Sequence, residues 1–92
     1  MTTKYGVALR GDHAELFRLD GVRDVSADRY YFDSYTMLVG QVYLYDYAIK
    51  ESWTWFDTLE EAKAHLMERL LARREELQRR IDALTQFTRE AE

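Results

Sequence analysis

The sequence predicts an α+β fold: an antiparallel sheet of four to five short strands, followed by one long C-terminal helix that packs on the sheet and extends into a dimerising seam. Three observations carry this expectation. A run from Thr58 to roughly Arg89 has helical periodicity and contains neither Gly nor Pro. Two apolar segments flank the dipeptide Gly11-Asp12, a two-residue hairpin signal. The residues between them and the helix are short aromatic runs of the kind that suit a pleated, half-buried surface. The chain reads as a single domain over 1–92, with a β region at 1–57 and the helix at 58–90.

In order, Tyr5–Arg10 and His13–Leu19 form the first hairpin. The two-residue loop sets its register, pairing Arg10 with His13, Leu9 with Ala14, Val7 with Leu16 and Tyr5 with Arg18. Tyr5, Val7, Leu9, Ala14 and Leu16 then share one face, the expected core face, and Ala8, Arg10, His13, Glu15, Gly6 and Phe17 share the other. Asp20-Gly21 is a second turn signal, followed by a short Val22–Val25 segment. Arg29–Asp33 is an expected strand. Tyr35–Val39 and Gln41–Tyr47 follow as the richest β segment, with Gly40 between them as a bulge, a bend or a turn. Alternation from Val42 sets Val42 and Leu44 against Tyr43, Tyr45 and Tyr47. Ala48–Ser52 connects to a last strand, Trp53–Phe56, whose two tryptophans share a face.

Thr58 with Glu61 three residues on is a capping-box pattern, and Glu60 and Glu61 suit the first turn of a helix. The helix divides in two. Leu59, Ala62, Leu66, Met67, Leu70 and Leu71 make a wide stripe that covers a sheet. Leu77, Ile81, Leu84 and Phe87, spaced 4, 3 and 3, make a narrow seam close to the coiled-coil pattern. About 32 helical residues span roughly 48 Å, against a radius of gyration of about 12 Å for a compact chain of this length. The seam therefore projects beyond its own sheet and calls for a second copy. A chain turning back near Arg73-Arg74 is the alternative, disfavoured because no Gly, Pro or Asn marks a turn there.

Composition narrows function. With 47% hydrophobic and 33% charged residues the chain is of the folded type. It has no cysteine, which removes thiolate metal sites and thiol nucleophiles. No apolar run approaches a membrane span, and no signal-peptide pattern opens the sequence, so a cytoplasmic protein without membrane contact is expected. The net charge of −4 argues against duplex DNA as a partner. His13 lies beside a hairpin turn and His65 on the helix, four residues after Glu61, a single pair that is weak grounds for a metal site. Ser26, Ser34 and Ser52 lie outside any nucleophile context, and the four glycines are scattered. No catalytic residue, metal site or cofactor is assigned.

The aromatic excess is informative. Tyr30, Tyr43, Tyr45, Tyr47, Trp53 and Trp55, interleaved with Asp33 and Asp46, are the candidate partner-binding residues, because Tyr and Trp dominate protein interfaces. The expected function is a non-enzymatic protein-binding module, a helix-mediated homodimer acting as an inhibitor or adaptor of a protein or nucleoprotein machine. Small, acidic and cysteine-free, the chain is compatible in style with a phage or mobile-element anti-defence protein such as an anti-CRISPR, although no family motif is matched residue by residue. The alternatives are a single-stranded nucleic-acid-binding protein that uses the Tyr/Trp-rich sheet, and a small-ligand-binding protein or minor enzyme.

Overall fold

The computed structural model describes residues 2–91, with side chains through 87; Met1 and Glu92, which a single domain over 1–92 includes, lie outside the described residues. Among the described residues, six strands and a single 3-10 turn (Lys50–Ser52) precede one α-helix: β1 (Thr2–Arg10), β2 (His13–Val22), β3 (Arg29–Tyr31), β4 (Ser34–Val39), β5 (Tyr47–Ile49), β6 (Thr54–Phe56) and α1 (Leu59–Ala91). A four-stranded antiparallel sheet has the order β4-β2-β1-β6, and β3 pairs with β5 in a separate two-stranded sheet. The architecture is α+β, with the helix on the larger sheet.

The first hairpin has the register its turn dictates. Arg10 pairs with His13, Leu9 with Ala14, Val7 with Leu16 and Tyr5 with Arg18. Gly11 supplies the positive φ the turn needs. Val7 and Leu16 are buried against Ala62 and Leu66 of α1, with Tyr5, Ala14 and Phe56 at the margin.

The opposite face of the hairpin is buried as well, which corrects the expectation of one core face. Phe17 and Leu19 are fully buried, and with Val22, Phe32 and Ala48 they form a second core. Tyr30, Tyr35, Met37, Leu44, Trp53 and Trp55 pack around it. The large sheet is therefore a middle layer, with α1 on one side and the small sheet with its loops on the other. Both tryptophans meet the Phe17 ring edge-on, with centroids 5.2 and 5.7 Å away. Gly6, opposite Phe17, makes room for them: a Cβ there would lie 2.5 Å from Phe17 Cζ and 2.9 Å from Trp55. Gly6→Ala is expected to cost about 1–3 kcal/mol through overpacking, seen as a lower urea midpoint with an unchanged slope.

Two local expectations are corrected. Asp20-Gly21 is no hairpin turn: β2 runs through it to Val22, and Gly21 takes a φ of 68° where the pairing with β1 shifts register. The same positive φ serves a bulge when the partner strand continues alongside, as Thr2–Lys4 does here. Gln41–Asp46 is no strand either. Gly40, at φ 77°, ends β4, and regular pairing resumes only at Tyr47. The segment is held instead by the Leu44 N–H donating to Tyr35 Oη (3.5 Å) and the Phe32 N–H donating to the Asp46 carbonyl (3.2 Å).

The helix begins as its cap predicts, the Glu61 N–H donating to Thr58 Oγ1 at 3.2 Å. The Thr58 hydroxyl in turn donates to the Glu61 carboxylate. Lys4 of β1 pairs with Asp57 just before it, and this hydrogen bond raises the Lys4 pKa. Arg80 with Glu76 at 2.7 Å and Arg79 with Glu75 at 3.9 Å brace the middle turns. α1 runs on for 33 residues without reversing, so the molecule measures 63 × 22 × 21 Å with a radius of gyration of 17.8 Å. No helix among the described residues is long and apolar enough to cross a membrane.

Candidate interaction surfaces

The eight residues expected to bind a partner fall into three environments. Trp53, Trp55 and Tyr30 are structural. Trp55 stacks edge-on with Tyr30 at 5.0 Å, and its indole N–H donates to the Lys50 carbonyl at 2.9 Å. Trp53 packs on Phe17 and Trp55 and donates its N–H to Glu15 at 3.1 Å. Tyr47 lies half-buried beside Tyr31, with the Arg29 guanidinium over its ring at 4.4 Å. Asp33 is tied to Arg23 by a 2.6 Å ion pair, and the Asp46 carbonyl holds Phe32.

Tyr43 and Tyr45 are different: 88% and 89% of their surface is open to solvent. The alternation read from the sequence operates here without a strand, since Leu44 is anchored in the second core and turns both tyrosines outward. Tyr43 stands between two shallow hollows. One, of about 160 Å³, includes Leu44, Tyr45, Tyr47 and Trp53, and the other, of about 300 Å³, includes Tyr35, Met37 and Val42. The two exposed rings flank the one side chain of the segment that is anchored in the second core, Leu44.

The second surface follows α1. Leu77, Ile81, Leu84 and Phe87 are 40%, 55%, 68% and 70% exposed. Met67, Leu70 and Leu71, expected to lie under the sheet, are also substantially exposed. Met67 and Leu70, with Leu16, Val39 and Leu66, line an apolar groove of about 210 Å³ where the helix passes the edge strand β4. Only Ala62 and Leu66 of the wide stripe are fully covered, because the sheet presents just Val7 and Leu16 at its centre.

Glu15 is the residue that pattern reading passed over. It is buried to 4% exposure on the Phe17 face of β2, where Arg10 Nε (3.2 Å), the Trp53 indole N–H (3.1 Å) and His13 Nε2 (3.8 Å) surround its carboxylate. The signal for it was an acid alternating with Phe17 and Leu19, two pairs along the hairpin from Arg10 and on the same face. Its partners satisfy it, and no nucleophile is placed against it, so it braces β6 onto the hairpin.

His65 is not paired with Glu61, which bonds Thr58 instead; its ring leans on Phe56 at 5.1 Å. Asp28, whose carboxylate accepts from the Ser26 hydroxyl, is held below its ordinary pKa by that bond. Among the described residues, no group of three or more His, Asp and Glu side chains is close enough to hold a metal ion. Compared with protein-family models, curated proteins and solved structures, the chain has no match in any of the three.

Proposed function

We propose that the chain is a non-catalytic protein-binding module that pairs with a second copy through Leu77, Ile81, Leu84 and Phe87. It presents the Tyr43–Tyr45 segment to a partner protein or nucleoprotein complex as an inhibitor or adaptor. The observation that carries this reading is the contrast in burial. Two cores are closed around Phe17 and around Leu66, while Tyr43 and Tyr45 on one segment, and Leu77, Ile81, Leu84 and Phe87 along one side of α1, stay exposed. Contiguous exposure of that kind marks interaction surfaces.

The seam is tested first. Light scattering at tens of micromolar is expected to report a dimer, and Leu77→Glu or Ile81→Glu to return a monomer with an unchanged far-UV spectrum; a monomeric parent protein removes the pairing from the proposal. At the second surface, Tyr43→Ala combined with Tyr45→Ala is expected to lower partner affinity at least tenfold while the thermal midpoint moves by less than about 2 °C, since neither ring is part of a core. Trp53→Ala is unsuited to this purpose, because Trp53 also supports Phe17 and Glu15.

Stacking of the exposed tyrosines on unpaired bases is the second reading. The cations nearest the small sheet weigh against it. Arg29 has Asp28 at 3.9 Å, and Lys50 is bound to Asp24 and the Ser26 carbonyl, so each carries an acid beside it that offsets its charge. Salt-reversible quenching of tyrosine and tryptophan emission by single-stranded DNA would favour it over a protein partner.

A further inference from the structure

The helix seam and the sheet lie on the same side of α1, and this decides how two copies fit together. At 100° per residue, Leu77, Ile81, Leu84 and Phe87 centre within about 30° of Ala62 and Leu66, the residues that seat the sheet. The sheet occupies that side from the start of α1 to about Arg73, whose guanidinium reaches Asp12 in the first hairpin turn at 3.5 Å. Beyond that point the same side is open, and its four large side chains are the exposed ones.

We infer that the second copy docks antiparallel, its seam on this seam with the two-fold axis near Asp82; the inference rests on the proposed dimer. Packed helices need their axes 8–10 Å apart. In a parallel pair, both sheets would stand between the two helices at the same level and force them apart, so that no more than about a turn of seam could touch. In the antiparallel pair the sheets lie at opposite ends. Ala91 of one helix arrives opposite Arg73 of the other, where the covering sheet stops, so the overlap runs from 73 to 91 and spans about 27 Å. From the fractional exposures, the seam and its flanking side-chain stems offer on the order of 500 Å² per chain, which brings the pair to the roughly 1,000 Å² a specific interface needs. The two Tyr43–Tyr45 patches then sit at the two ends of one rod, and the dimer is bivalent.

The chain has no cysteine, so a single spin label can be placed cleanly. With Glu60→Cys, an exposed first-turn position, pulsed dipolar spectroscopy on the full chain is expected to give an inter-label distance of about 65 Å, from 22 residues on each side of Asp82. A distance under about 50 Å, the most that two molecules 22 Å across reach when their sheets stand side by side, overturns the antiparallel arrangement and leaves the dimer standing. A label at Asp82→Cys lies at the centre and gives a short distance in either arrangement, so it reports pairing alone. Absence of dipolar coupling at both positions, with a monomer mass by light scattering, overturns both the orientation and the dimer on which it rests.

Discussion

Leu66→Glu is expected to unfold the protein at 25 °C. Leu66 is 5% exposed in the core shared by Val7, Leu16 and Ala62, at the centre of the contact between helix and sheet. Removing a buried leucine side chain costs about 2–5 kcal/mol. Burying a carboxylate among Val7, Leu16 and Ala62 adds several more, because those side chains offer it no hydrogen-bond donor. The sum approaches the whole stability of a small domain, about 5–15 kcal/mol. Near-UV dichroism and urea unfolding provide the measurement. A cooperative transition at the parent midpoint would mean that the helix does not hold the sheet together. The comparison with Leu77→Glu is informative: the same chemical change eleven residues on, at a position 40% exposed, is expected to leave the fold intact.

Phe17→Ala is expected to cost about 3–5 kcal/mol, the usual loss for a fully buried phenylalanine. Its ring is the hub of the second core, with Trp53 and Trp55 both edge-on to it at interplanar angles of 86°. Truncation opens a cavity beneath both indoles and loosens Trp53 from Glu15, so the tryptophan emission should shift to the red in parallel with the loss of stability. A cost below about 1 kcal/mol would show that the aromatic layer rests on the sheet without being part of its core, and the two-core description would fail.

These two substitutions bracket what the aromatic residues do. The sequence carries more tyrosine and tryptophan than one thin core can use on its inner face, which by itself points to rings on an outer face or an edge. Most of the excess is instead spent inside, because a sheet with two buried faces needs twice the apolar surface. Trp53, Trp55, Tyr30 and Tyr35 are structural, and Tyr47 lies with Tyr31 and Arg29 over the small sheet. The rings left almost fully exposed are Tyr43 and Tyr45, on either side of the inward anchor at Leu44.

The sequence by itself determined the features that depend on neighbours along the chain. Gly11-Asp12 dictated the hairpin and its register, Thr58 and Glu61 placed the start of α1, and the 4, 3, 3 spacing of Leu77, Ile81, Leu84 and Phe87 located the exposed seam. Each follows from local backbone geometry or from helical periodicity, which act over a few residues. The tertiary structure decided what depends on residues distant in sequence. A glycine with positive φ serves a turn or a bulge equally well, and only the continued pairing of Thr2–Lys4 made Gly21 a bulge. Alternation in Gln41–Asp46 orients side chains but cannot supply a neighbouring strand, and none lies there to pair with it. Burial of Glu15 and of the Phe17 face required a second layer assembled from β3, β5 and the loops around them, long-range contacts to which a strand's own pattern is blind.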